Sequence, residues 1–270
     1  MTVLNNHAES QVSDFYNSDG WIVEESGITK DAELWEDTRN CAAEYVTNCR
    51  LRVLNHIPTQ GGENILDMAS GPIQYKEYLQ YSKQFKKRYC VDLSTNALAD
   101  ARKKIGDHGE FLNGSFFDIE LEENFFDCSL SLHTIYHMDK DKQAEAVRKL
   151  IHVTKPNKNI VIVYSNPDTF HGALYNFAKK VLFAFGKKHQ PENSYLYFHA
   201  HPIEWWDQFK HLGKVEIFPW RALPAQYQKI LFPNNKIGKL MFKGLFFMED
   251  KFPRFFIKNF QYPMIVITKK

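Results

Sequence analysis

No run of 18 apolar residues occurs in this chain, and it does not open on an apolar stretch behind a basic one. A membrane-spanning helix needs about 20 such residues and a secretory leader needs its own apolar segment. Neither is expected, and a cytoplasmic location is. Cysteine is scarce: Cys41, Cys49, Cys90 and Cys128 are the only four, and no two form a C-x-x-C pair. That spacing fits reduced thiols in a cytosolic protein. Net charge is nearly absent, +2 over 270 residues, so nothing in the whole-chain charge calls for a nucleic-acid partner. Repeats and low-complexity tracts are missing as well. Glycine is thin where dinucleotide binders need it, since no G-x-G-x-x-G follows an apolar stretch. The backbone approach to a pyrophosphate that this pattern permits is therefore not encoded, which disfavours a nicotinamide-dependent oxidoreductase.

What is present centres on residues 64–74, NILDMASGPIQ. The apolar pair Ile65 and Leu66 leads into Asp67, and Ala69, Ser70, Gly71 and Pro72 follow. A buried parallel strand that turns sharply into a helix needs small residues there. The backbone must swing past a ligand, and the free N–H groups of the helix start face it. Asp92 ends the next apolar stretch, RYCVDLS, 25 residues beyond Asp67. Strand, tight turn, helix, strand and acidic tip make the nucleoside-binding half of a doubly wound α/β fold. A carboxylate ahead of the turn suits an amino-bearing or cationic ligand better than a phosphate.

This run resembles motif I of the class I S-adenosylmethionine (SAM)-dependent methyltransferases, Asp/Glu-x-Gly-x-Gly-x-Gly. Asp67 keeps its place, and Ala69, Gly71 and Ile73 stand at the three glycine positions. Over residues 60–165 the resemblance continues in type, order and spacing of elements. Helices are expected at 73–84, at TNALADARKKI after a Ser94 cap, and at 140–154. Strands are expected at RYCVDLS, EFLNG, FFDCSLSL (with Asp127 at its opening) and NIVIVYS. Helix 202–212 and strands 214–219 and 262–268 would complete the sheet. The implied fold is α/β, with a doubly wound, mostly parallel seven-stranded sheet, a helical N-terminal cap and lid insertions. The expected boundaries are a cap at 1–58, the SAM-binding core at 59–165, a lid insertion at 166–201 and the rest of the core at 202–270. A long helix is expected from Asp31 to Ile57.

The resemblance implies SAM as cofactor and a small-molecule methyltransferase as function. It assigns Asp67, Ala69, Ser70, Gly71 and Pro72 to the cofactor turn. Asp92 would accept the ribose hydroxyls, a bidentate role suited to a carboxylate, with Leu93 beside it. Ser115 stands where the family often has an Asp for the adenine amino group, and Phe116 either packs on the adenine or fills the core. Leu132 and His133 would touch the cofactor at the end of the fourth strand, and Arg39 would reach its methionine carboxylate.

Past that strand the chain reads SLHTIYHM, where small-molecule members often carry a His-Met pair near the reacting centre. No Asn/Asp-Pro-Pro-Tyr run, which some families use to hold a planar nitrogen, occurs there. His137 therefore ranks first as general base, His133 second, and Tyr136 as an orienting donor, for methylation of a hydroxyl. An imidazole can serve near neutral pH, although the same histidines could simply pack or cap the turn. N-methylation and a non-catalytic SAM-binding scaffold are the alternatives. Without carboxylates near the two histidines no metal is expected. Tyr136, Tyr195, Tyr197, Phe198, Trp205 and Trp206 suggest a ring-bearing or extended apolar acceptor, whether aromatic, glycan or lipid-linked. Charge is also unevenly placed: residues 221–270 hold ten Lys/Arg against Glu249 and Asp250 alone. Eight phenylalanines interleave with these cations in the insertion 221–261, so a peripheral contact with an anionic surface is expected there.

Overall fold

The computed structural model describes residues 7–22, 28–170 and 196–270, together with Glu25 and Gly172. Most of the expected lid, including Tyr195, lies outside the described residues. Seven strands form one sheet: β1 (Gly62–Met68), β2 (Phe85–Asp92), β3 (Gly109–Asn113), β4 (Phe126–Leu132), β5 (Thr154–Val163), β6 (Gly213–Arg221) and β7 (Tyr262–Lys269). Their order is β3-β2-β1-β4-β5-β7-β6, with β7 antiparallel to both neighbours and the other pairings parallel. The strand order reverses between β1 and β4, and a crevice opens at their C-terminal ends, where doubly wound folds take ligands.

Side chains alternate across a strand, so the central strands feed two cores. Ile65, Cys128, Leu130, Val161, Val163, Met264 and Val266 face one layer, which holds Tyr45, Val46 and Cys49 of a helix at Ala43–Leu51. Leu66, Met68, Phe126, Ile160, Ile162, Ile265 and Ile267 face the other, with Val147, Leu150 and Ile151 of a helix at Gln143–Val153, plus Trp206 and Phe209. Among the described residues the α-helices, in chain order, are α1 (His7–Phe15), α2 (Lys30–Trp35), α3 (Ala43–Leu51), α4 (Thr95–Ile105), α5 (Gln143–Val153), α6 (Ala225–Leu231), α7 (Lys236–Lys251) and α8 (Pro253–Asn259).

Three helical expectations change. The single helix over 31–57 is broken into α2, α3 and a 3-10 turn at Arg52–His56. The break follows from Glu36 and Asp37, which are buried and turn to arginines instead of continuing a helix. Asp37 also accepts the Arg39 N–H at 3.3 Å, a local bond that competes with helix. The helix at 73–84 shrinks to a 3-10 segment at Lys76–Ser82, because Ile73 has φ +50° and Tyr75 is extended. Residues 202–212 likewise give only a 3-10 segment, Ile203–Phe209, behind Pro202.

Helices α6, α7 and α8 fill the span between β6 and β7. Asn235 caps α7, its Oδ1 accepting from the Ile237 and Gly238 N–H groups, and Pro253 starts α8. Glu249, fully buried, ties α7 down: it accepts from Tyr45 Oη (2.6 Å), Arg52 Nη1 (2.6 Å) and the Ala222 N–H (2.7 Å). Arg52 bonds Asp250 through its other nitrogen at 2.5 Å.

Candidate active site

A cavity lies at the C-terminal ends of β1, β2 and β4, and Tyr16, Trp21, Asp31 and Trp35 of the N-terminal segment line it as well. Its floor is the turn after β1. Ala69, Gly71 and Ile73 have φ of +55°, +55° and +50°. All three motif positions thus keep a glycine-like backbone, although two of them carry side chains. A Cβ on Gly71 would stand 3.1 Å from the Trp21 ring, so the indole lies directly over the turn. Trp21 stacks on Tyr16, with centroids 4.8 Å apart.

Asp92 crosses from the β2 tip to this turn. Its Oδ2 accepts the Gly71 N–H at 2.8 Å and its Oδ1 the Ser94 N–H at 2.9 Å. Each oxygen keeps a lone pair for a further donor. Burial pushes the carboxyl up to about 6, against the pull of these N–H groups. Asp67 also borders the cavity, but its Oδ2 is held by Arg88 of β2 through both Nε (3.0 Å) and Nη2. Both side chains are buried, so Asp67 first serves to neutralise the only way a guanidinium could sit inside that sheet layer.

The end of β4 brings the two histidines together. His133 has φ +60°, its Nδ1 meets Tyr136 Oη at 2.9 Å, and its ring lies edge-on to Trp220. Burial, and then the charge of Arg221, hold its imidazole well below the usual value. His137 places Nδ1 2.7 Å from the Tyr197 carbonyl, so Nδ1 carries the proton and Nε2 is the acceptor. Burial lowers this imidazole to about 4 despite that bond. The residues between them form a 3-10 turn, Ile135–His137, so the i, i+4 face of an α-helix does not arise.

Of the residues expected at the cofactor, Asp67, Ala69, Ser70, Gly71, Pro72, Asp92, Leu93, Phe116, Leu132 and His133 line this cavity, as do Tyr136 and His137. Two do not. Arg39 is held away from it, with Nε and Nη2 on Asp37 (2.8 and 2.7 Å) and further bonds to the Gln228 and Phe232 carbonyls. An acid two residues back captured it. Ser115 turns its hydroxyl to Glu9 of α1 at 2.7 Å and caps the Phe117 N–H, and it leaves the lining to Gly114 and Phe116. Trp205 and Trp206 pack against Tyr164 outside the lining.

Other lining residues were not singled out from the sequence. Tyr16 and Trp21 come from the aromatic cluster FYNSDGW, a signal that was visible. Asp31 accepts from Tyr16 Oη at 3.1 Å, and burial raises its carboxyl to about 6. Arg221 and Tyr262 close the far side, at the β6 end and the β7 start. Arg221 bonds Glu36 at 2.9 Å, and Arg50 stands between Glu36 and Glu77 at 3.4 Å from each. The two arginines and two glutamates balance, which leaves Asp31 as the acid of this side with no cation bonded to it among the described residues.

The left-handed turn, the two-oxygen acceptor at the β2 tip and the closing aromatic lid suit an adenosine and an amino-acid tail. The fold and this arrangement are similar to those of the class I, Rossmann-like SAM-dependent methyltransferases. Residues 66–162 match the family model described as "Methyltransferase domain". The fold recurs in a Haemonchus contortus phosphoethanolamine N-methyltransferase 2 solved with phosphomonomethylethanolamine and S-adenosylhomocysteine. There the TM-score is 0.52 at 14% identity, over 82% of this chain and 52% of that one. This chain therefore spans about half the length of that enzyme. An Archaeoglobus fulgidus SAM-dependent methyltransferase gives 0.53 at 16%, over 84% and 94% of the two chains. A DhpI–SAM–HEP complex gives 0.55 at 12%, over 98% and 99%. No curated protein matches the sequence.

When bound, SAM supplies an electrophilic methyl group on its sulfonium. Asp92 would hold its ribose, the 69–73 backbone its amino-acid end and Phe116 its base. Tyr16 and Trp21 would exclude water above it.

Proposed function

We propose that this chain methylates the nitrogen of a small cationic amine. The observation that carries the reading is Asp31, a carboxylate that accepts from Tyr16, lines the same cavity as Trp21, Trp35 and Tyr75, and has no bonded cation among the described residues. Aromatic faces and a carboxylate together favour an ammonium group. Asp31 would hold the amine as it arrives charged. The nitrogen would react once that proton has passed to water; its lone pair then takes the methyl as the C–S bond breaks to leave a neutral thioether, and no strong base is needed in that step. The histidines support this choice from the other side, because burial leaves both of them weak bases. Phosphomonomethylethanolamine, in the Haemonchus complex, is an amine too, at a likeness that carries the fold alone.

A second reading, methylation of a hydroxyl with His137 as base, rests on one feature. The Tyr197 carbonyl fixes the Nδ1–H tautomer and leaves Nε2 to take a proton. Tritiated SAM offered with paired amine and alcohol panels separates the two. For the amine, Asp31→Asn should raise KM about ten-fold or more, the worth of a charged hydrogen bond, with SAM affinity unchanged, and His137→Asn should change little. Label in hydroxyl acceptors, lost about 10²–10⁴-fold in His137→Asn, would reverse the assignment. A fall in SAM affinity in Asp31→Asn would move Asp31 to the cofactor's own ammonium.

A further inference from the structure

We propose that the outer face of α7, with the adjoining ends of α6 and α8, docks on the surface of an anionic lipid bilayer. The inference is independent of which acceptor is methylated. Fourteen large apolar side chains are exposed among the described residues, and nine of them fall between Ile230 and Phe255. Such concentration marks a contact surface; scattered exposure would not. On α7 the core side is Gly238, Phe242 and Glu249. The opposite side is a second apolar stripe, with Ile237, Leu240 and Phe247 exposed by 63%, 70% and 63%, and Met241 and Met248 between them. The spacing i, i+3, i+4, i+10, i+11 keeps these on one face. Ile230 and Leu231 continue the exposure on α6, and Phe252 and Phe255 at the start of α8.

The charge around this stripe is mostly positive. Glu249 and Asp250 are the insertion's only acids, and both bond Arg52, Glu249 buried and Asp250 half-exposed. Lys239 and Lys243 share the single carboxylate of Glu44. Lys236, Lys251, Arg254 and Lys258 have exposed side chains and no ion-pair partner among the described residues. A cation-rimmed apolar face complements anionic headgroups over acyl chains. It fits a second copy of itself poorly, because the rims would meet with like charge. No helix among the described residues is long and apolar enough to cross a membrane, so α7 would lie in the interface. The insertion is rooted in Arg221 and Tyr262, which line the active-site cavity, so docking would place the catalytic cleft near that surface.

The test is co-sedimentation of the whole chain with phosphatidylcholine vesicles, alone or mixed with phosphatidylserine. Binding is expected to the mixed vesicles only, weakening as salt rises. Replacing Lys236→Gln and Lys251→Gln should each lower the partition coefficient about five-fold. Leu240→Ser with Phe247→Ser should lower it roughly ten-fold or more for each side chain. All four sites are exposed, and calorimetric SAM binding confirms that the variants stay folded. Equal binding to both vesicle types, or to neither, overturns the proposal. So does a dimer in vesicle-free solution that Leu240→Ser with Phe247→Ser dissolves, since the face would then belong to a second copy.

Discussion

Asp92 ties the strand tip to the turn and lines the cavity at the same time. It closes the 69–73 turn through the Gly71 N–H and still offers lone pairs to the cavity. Because burial raises its carboxyl to about 6, the folded protein holds this proton more tightly than the unfolded chain does. The charged form is what a pair of ribose hydroxyls needs. SAM affinity should therefore fall about ten-fold between pH 7.5 and pH 5, as the group protonates below its folded pKa. Stability of the SAM-free protein should move oppositely, gaining as pH drops from about 6 towards about 4, the range between folded and unfolded values. Calorimetry at the two pH values measures the first effect. Asp92→Asn should bind weakly at both and lose most of the pH dependence; a full slope in that variant would move the titration to Asp31. Asp92 itself was legible, since an acid closing an apolar stretch has few other uses. Arg39 and Ser115 were not placed correctly. Each is a polar group on a segment whose path depends on a partner distant in space or hidden in its own turn: Asp37 for the first, Glu9 for the second.

At the scale of elements, the turn after β1 is instructive because its backbone outlived its glycines. Ala69 and Ile73 sit in left-handed conformations that cost a side-chain-bearing residue roughly 1–2 kcal/mol. Part of that returns if the Cβ is removed, and part is lost to the freer unfolded chain. Ala69→Gly is therefore expected to stabilise the protein by up to about 1 kcal/mol in denaturant unfolding, with SAM affinity retained. A destabilised variant would mean that the Ala69 methyl packs better than its strain costs. Ile73 is a different case, because its side chain is buried beside Cys90, Leu98 and Ala101 and trimming it would open a cavity. The seven strands of the sheet were readable, since alternation and apolar runs are local. The helices at 31–57, 73–84 and 202–212 were overcalled for one reason. Periodicity registers which residues could face a core, but not that Glu36 and Asp37 turn inward or that Tyr75 is extended.

For the molecule as a whole, the cap, sheet and insertion are held by ionic contacts that cross between them. Arg52, beyond α3, reaches Glu249 and Asp250 of α7, and Arg221 of β6 reaches Glu36. Glu249→Ala leaves Arg52 buried beside a lone, half-exposed Asp250 and should cost about 3–5 kcal/mol. Limited proteolysis should then cut within residues 225–259 before the sheet opens; cleavage first in the central strands would deny the insertion any separate stability. The position of β7 carries a further consequence. It lies between β5 and β6, both of which precede it in the chain, so its two neighbours must wait for it. At about 5–20 residues per second, translating residues 222–261 takes roughly 2–8 seconds. For that interval a nascent polypeptide holds two finished strands with unpaired amide edges and a long, phenylalanine-rich spacer behind them. Unpaired edges of that kind template pairing with other chains, so help from a holdase chaperone during synthesis is the expected outcome.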